Sequence, residues 1–173
     1  MALGVGLGLI WYIKPVSKSP TVSRERLNIA AITITGAIFG GRIGHVLMNM
    51  TYFQAHLVET VQVWLGGFSW IGFTVGAFIA IYIATRIKGI PFLKTTDDLT
   101  PLFTTTAVFI WLACWITGYA YGTKVDAWWG IPTSNEWGEL TQRWPTQLLG
   151  GVTILSLQLL IEYSRKQKLL LLK

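Results

Sequence analysis

Four apolar runs, residues 28–48, 66–85, 99–118 and 147–162, dominate this 173-residue chain. Each spans or nearly spans a hydrocarbon core of about 30 Å, which takes roughly 17 to 25 helical residues. Such runs can be buried only in a very large core or in lipid, and a chain of this length cannot build the former. The sequence therefore predicts an all-α, polytopic membrane helix bundle read as one domain, 1–173. A charged share of 13%, against an apolar share of 52%, fits that class, since soluble domains carry about 25% charged residues. Asp97 and Asp98 precede the third long run and Pro101 sits in its first turn, where a missing amide hydrogen costs little. A fifth run, 2–13, is about 18 Å long as a helix, short of a full crossing. It lacks a basic leader, and Lys14, Pro15 and Lys18 follow it in place of a small-residue cleavage site. It reads as a shortened first transmembrane helix, which brings the expected number to about five.

Lysine and arginine in short loops resist translocation, so their distribution predicts orientation. Lys14, Lys18, Arg24 and Arg26 follow the run 2–13, Arg86, Lys88 and Lys94 the run 66–85, and Arg165, Lys166, Lys168 and Lys173 the run 147–162, which places eleven of fourteen basic residues on one side. The N-terminus is expected outside and the C-terminus inside, with 119–146 as an outer loop. Tyr52, Phe53, Trp64, Trp128, Trp129, Trp137 and Trp144 then fall on the outer face as an aromatic belt. The net charge of +6 is accounted for by these clusters, so no nucleic-acid partner is expected. The single cysteine, Cys114, excludes a disulfide framework within the chain.

Polar groups at membrane depth are the candidates for function. Arg42, within Gly40-Gly41-Arg42-Ile43-Gly44-His45, is the most costly residue to place. It is read either as a clamp for a lipid phosphate or as a structural partner of Glu59. His45 shares its helical face and could meet a phosphate, a metal or a pigment, though a lone histidine commonly satisfies one local hydrogen bond. Gly36, Gly40 and Gly44 recur every fourth residue and predict close helix packing. Glu136 and Glu139, between tryptophans of the outer loop, read as a solvated face. No phosphate loop, zinc-type histidine pair or nucleophile elbow is present, so no catalytic residue and no metal or cofactor is predicted beyond a bound phospholipid.

Three strings occur in a telling order. Gly41-Arg42-Ile43-Gly44-His45-Val46-Leu47 leads to Val63-Trp64-Leu65-Gly66-Gly67-Phe68-Ser69; Arg86-Ile87-Lys88-Gly89-Ile90-Pro91-Phe92-Leu93 follows; Pro145-Thr146-Gln147-Leu148 opens the last long run. Together they resemble the bacterial phosphatidylglycerol–prolipoprotein diacylglyceryl transferases. The resemblance implies a multi-pass protein of the bacterial inner membrane that moves a diacylglyceryl group from phosphatidylglycerol to a lipoprotein cysteine. The candidate lipid-binding set is Arg42, His45, Gly118, Gly122, Arg143 and Gln147.

The chain departs from that family's pattern where the chemistry resides. Ile71 stands in the place of a histidine, and the family's signature aligns with the stretch from Ile110 to Tyr119, of which Gly118 alone survives. Trp111 occupies the place of an arginine expected on the lipid phosphate, Cys114 that of an asparagine and Tyr119 that of a glutamate. Trp144 and Gly150 replace a histidine and a glutamate, and the family's final helices have no counterpart in these residues. The reading from sequence is thus a non-catalytic relative, an accessory subunit of a larger membrane complex or a lipid-binding protein, with membrane lipids and other membrane subunits as partners. The alternative is a diverged transferase whose Arg42, His45 and Arg143 converge on one cavity. A third reading has His45 binding haem or a pigment.

Overall fold

A computed structural model describes residues 2–16, 18–135 and 137–171 of the chain. Glu136 and Lys173, both used in the sequence reading, lie outside the described residues. The helices are α1 (Ala2–Ile13), α2 (Pro20–Met48), α3 (Met50–Ala55), α4 (Trp70–Lys88), α5 (Phe92–Asp98), α6 (Thr100–Thr117) and α7 (Thr146–Leu171). Two short strands, β1 (Ile131–Ser134) and β2 (Leu140–Arg143), interrupt the pattern. The chain is an all-α membrane bundle, and α2, α4 and α6 are each long and apolar enough to cross a bilayer. Packing groups the chain, read from sequence as one domain, into two compact units: Pro15–Leu99, and Met1–Lys14 with Thr100–Lys173.

Several boundaries differ from the apolar runs for local reasons. The run 28–48 is preceded by eight further helical residues, because Pro20 at the start of α2 has no amide hydrogen to leave unpaired. At about 43 Å this helix outreaches the hydrocarbon core, so its charged first turns extend past it. The run 66–85 loses its first residues: Gly66 and Gly67 adopt φ of +80° and +73°, outside any helix. Helix α4 begins after Ser69, whose hydroxyl accepts the Gly72 N–H at 3.3 Å, and it ends at Gly89 in the left-handed conformation. Helix α7 continues past the expected 162, to Leu171.

In the Pro15–Leu99 unit the glycine stripe of α2 meets a matching stripe on α4. Gly36 faces Gly76 and Ala80, Gly40 faces Gly72 and Gly76, and Gly44 faces Gly72, so the two helices run antiparallel with their backbones in contact. Lipid tails are as apolar as leucine, so close van der Waals packing is what holds such a pair together. At the opposite end of α2, Arg26 pairs with Asp98 at the end of α5 (3.0 Å).

In the other unit α6 packs on α1 through Gly4 and Gly8, and on α7 through Trp111, whose indole lies over Gly150. The segment expected to be an irregular outer loop contains an antiparallel hairpin pairing Ile131 with Arg143 and Ser134 with Leu140. Asn135 shapes its turn, its Oδ1 accepting the N–H groups of Trp137 and Glu139. The hairpin lies across the helix ends, with Asn135 against Gly118 at the end of α6 and Trp144 leading into α7.

Two glycines test the packing account. A methyl group on Gly40 would fall on the Gly72 carbonyl oxygen and 2.6 Å from Gly76 Cα, whereas one on Gly6 of α1 would meet nothing within 4 Å. Gly40→Ala is expected to cost about 1–3 kcal/mol by overpacking. Gly6→Ala should be neutral or stabilising by up to about 1 kcal/mol, as helix propensity dictates. Thermal unfolding of both variants in one detergent measures the contrast.

Candidate functional site

The two buried arginines at issue, Arg42 and Arg143, occupy different units and have opposite environments. Arg42 lies near the end of α2 and is 6% exposed. Its Nε donates to the Thr60 carbonyl (3.1 Å), Nη1 to the carbonyls of Gly66 (2.5 Å) and Gly67 (3.2 Å), and Nη2 to the carbonyl of Glu59. The Phe53 ring lies 5.3 Å from its guanidinium carbon. A guanidinium has five N–H donors, and backbone oxygens occupy four of them here. The expected partnership with Glu59 exists, but through the main chain; the Glu59 carboxylate instead accepts the Tyr52 hydroxyl at 2.7 Å. That bond is the chief reason the Tyr52 phenol is pushed above its ordinary range, with desolvation and the Glu59 charge adding to it.

His45 is brought to the same place. Its ring packs edge-on to Phe53, with centroids 5.7 Å apart, and its Nε2 faces Gly67, where an added Cβ would sit 2.6 Å away. Asn49 donates to the His45 carbonyl at 3.0 Å. Arg42 and His45 thus converge on the Gly66-Gly67 turn, and the absent side chain of Gly67 makes room for both.

The other four predicted residues gather in the second unit. Arg143, the last residue of β2, is 5% exposed. Its guanidinium carbon sits 4.3 Å above the Tyr121 ring, and Nη1 donates to the Gly122 carbonyl at a long 3.4 Å. Its Nε is buried without a hydrogen-bond partner among the described residues. Gln147, in the first turn of α7, donates to the Tyr119 carbonyl at 2.9 Å. Gly122 is required by close approach: a Cβ there would fall on the Trp144 carbonyl oxygen and 2.6 Å from the Thr146 hydroxyl. Gly118 ends α6 in the left-handed region, with φ of +71°. Gly122 therefore shapes the backbone beside Arg143, Gly118 makes room for the hairpin turn at Asn135, and the two ends of 118–147 meet at the first turn of α7.

Desolvating a charge costs several kcal/mol unless hydrogen bonds replace the lost water. Arg42 has that replacement. Among the described residues Arg143 has one long bond and an aromatic face worth about 0.5–2 kcal/mol, so its remaining donors are unspent there. Glu139 is exposed and forms a long pair with Lys124 (3.8 Å), in keeping with a solvated face. Among the described residues no group of three histidine, cysteine or acidic side chains could hold a metal ion. Two polar residues were missed from sequence: Tyr121, one aromatic among many, and Gln158 of α7, which is buried with neither amide atom paired among the described residues.

The family model for prolipoprotein diacylglyceryl transferase matches residues 1–172 of the chain. The chain belongs to that family. The phosphatidylglycerol–prolipoprotein diacylglyceryl transferase of Ehrlichia ruminantium (strain Welgevonden) is 30% identical over 141 residues, covering 80% of this chain and 54% of the relative. The Rickettsia bellii (strain OSU 85-389) protein of the same name is 29% identical over 149 residues, covering 84% and 56%. That of Neisseria meningitidis serogroup C (strain 053442) is 37% identical over 101 residues, covering 57% and 36%. The chain spans about half the length of the Ehrlichia and Rickettsia relatives. Arg42, within the matched residues, serves the backbone of 59–67.

The Tyr52–Glu59 pair provides a spectroscopic check. A raised phenol pKa means that the bond's stabilisation is fully present below pH 10 and is lost as pH climbs through the higher folded value. The Tyr52 phenol is expected to titrate late by phenolate absorbance, and Glu59→Gln should lower that midpoint. An unchanged curve would show that the bond does not form.

Proposed function

We propose that the protein acts as a phosphatidylglycerol-dependent diacylglyceryl transferase of its family, delivering the lipid to a lipoprotein cysteine, with Arg143 holding the headgroup phosphate. The observation that carries this reading is the buried Arg143 guanidinium with its unspent donors, including an orphan Nε. In the transfer a sulfur–carbon bond forms to the diacylglyceryl group, the bond from that carbon to the phosphodiester oxygen breaks, and glycerol phosphate departs with the electron pair. Negative charge grows on the departing phosphate, and a preorganised, desolvated guanidinium stabilises it where water would not. The thiol proton passes to a base, because the thiolate is the nucleophile. Location in the bacterial inner membrane, with the N-terminus outside, belongs to the same reading and is supported by the loop charges. The relatives named above supply the donor class.

One observation favours a second reading, a lipid-binding member without transfer activity that serves a larger complex. Trp111 and Gly150, which replace an arginine and a glutamate of the family's pattern, are complementary in shape. A Cβ on Gly150 would sit 2.5 Å from the indole, so an apolar plug fills the space between α6 and α7 at that level.

Purified protein in phosphatidylglycerol nanodiscs, given a lipoprotein signal peptide with its cysteine, separates the two. Modified peptide is expected, with kcat/KM falling about 10- to 100-fold in Arg143→Gln, as loss of a charge-assisted contact worth about 1.5–3 kcal/mol dictates. Lipid retention that depends on Arg143 without modified peptide would establish the second reading. Transfer or retention indifferent to Arg143 would remove this residue from both.

A further inference from the structure

We infer that residues 57–65, between α2 and α4, form a rigid wedge seated in the headgroup layer of the bilayer, held from beneath by Arg42. The antiparallel glycine pairing of α2 with α4 brings the end of one span and the start of the other to the same membrane face. The segment that joins them must run along that face. Two 3-10 turns, Leu57–Val61 and Val63–Leu65, make up most of it.

Backbone and side chains point in opposite directions here. The carbonyls of Glu59, Thr60, Gly66 and Gly67 turn inward to the Arg42 guanidinium. Leu57, Val58, Val61, Trp64 and Leu65 turn outward, each 61% to 74% exposed. A protein facing water does not keep five large apolar groups on one short turn, because removing such surface from water is what stabilises burial. This patch also continues into exposed Met48 and Trp70 at the adjoining helix ends, so lipid that coats the spans coats it too.

Charge favours the same occupant. From 57 to 65 the only titratable side chain is Glu59, and its carboxylate is engaged by the Tyr52 hydroxyl. The wedge therefore enters by apolar contact, with Trp64 at the depth where amphipathic rings concentrate. Interfacial segments are ordinarily amphipathic helices whose backbone is self-satisfied. This one is not, and the arginine supplies the donors that would otherwise be drawn from water at the surface. Arg42 thereby acts as a positioning residue for a membrane-binding surface.

Nitroxide labels at Val58→Cys and Val61→Cys, each in a Cys114→Ser background and reconstituted in phosphatidylglycerol–phosphatidylethanolamine nanodiscs, test this. Both labels are expected to collide readily with oxygen and several-fold less with an aqueous nickel chelate than a label free in buffer. Nickel collisions at the aqueous level would overturn the proposal. Protection from both reagents would do so as well, since a second copy or another protein would then cover the patch. Adding Arg42→Lys, which keeps the charge but loses the planar fork, should leave the labels markedly more mobile. Unchanged mobility would show that Arg42 does not hold the wedge, whatever the depth found for the labels in the otherwise unaltered chain.

Discussion

A guanidinium placed near membrane depth must be solvated by something, and in this protein the solvent for Arg42 is the protein's own backbone. Four carbonyl oxygens from 59–67 surround it. That arrangement requires Gly66 and Gly67 in conformations closed to most residues, and it requires Gly67 to lack a side chain where His45 packs. The Ser69 N–H, donating to the Gly41 carbonyl at 2.9 Å, then brings the start of α4 beside Arg42. From that point the two glycine stripes continue the contact along both helices. A single desolvated cation thus sets the entry of α4, the course of the connecting segment and the register in which the stripes meet.

The same principle, followed to the second buried arginine, produces the opposite result. Arg143 is placed by a hairpin whose ends return to the helix termini, over an aromatic ring, beside the closely packed backbone of Gly122 and with Gln147 closing the turn. A native fold does not ordinarily bury a cation with donors to spare. Where it does, a ligand that supplies the missing acceptors is the natural complement.

Much of the scaffold was legible in the sequence, because hydropathy reports on burial in lipid directly. The runs ending in α2, α4 and α6 and the glycine spacing of α2 all follow from residue type alone. The hairpin was not legible: β1 reads Ile-Pro-Thr-Ser and β2 Leu-Thr-Gln-Arg, four residues each with no sustained alternation. The extra turns of α2 were missed because charged residues there are tolerated outside the hydrocarbon.

The candidate site was legible only as a set of residues. Arg42 stood out as costly and Arg143 only as a basic residue of the outer loop, and nothing in their neighbours along the chain distinguishes the one whose donors are consumed. That difference lies in contacts seventeen to twenty-five residues away for Arg42 and in their scarcity for Arg143. The two glycines assigned to lipid have backbone tasks, which a glycine in a motif cannot announce. The central claim, that Arg143 and not Arg42 meets the lipid phosphate, can be measured as a distance. Solid-state NMR of protein with 15N-labelled arginine in phosphatidylglycerol bilayers reports which guanidinium signals are dephased by lipid 31P. The account predicts strong dephasing of one resonance that vanishes in Arg143→Lys. Dephasing that survives that substitution and vanishes in Arg42→Lys would contradict it.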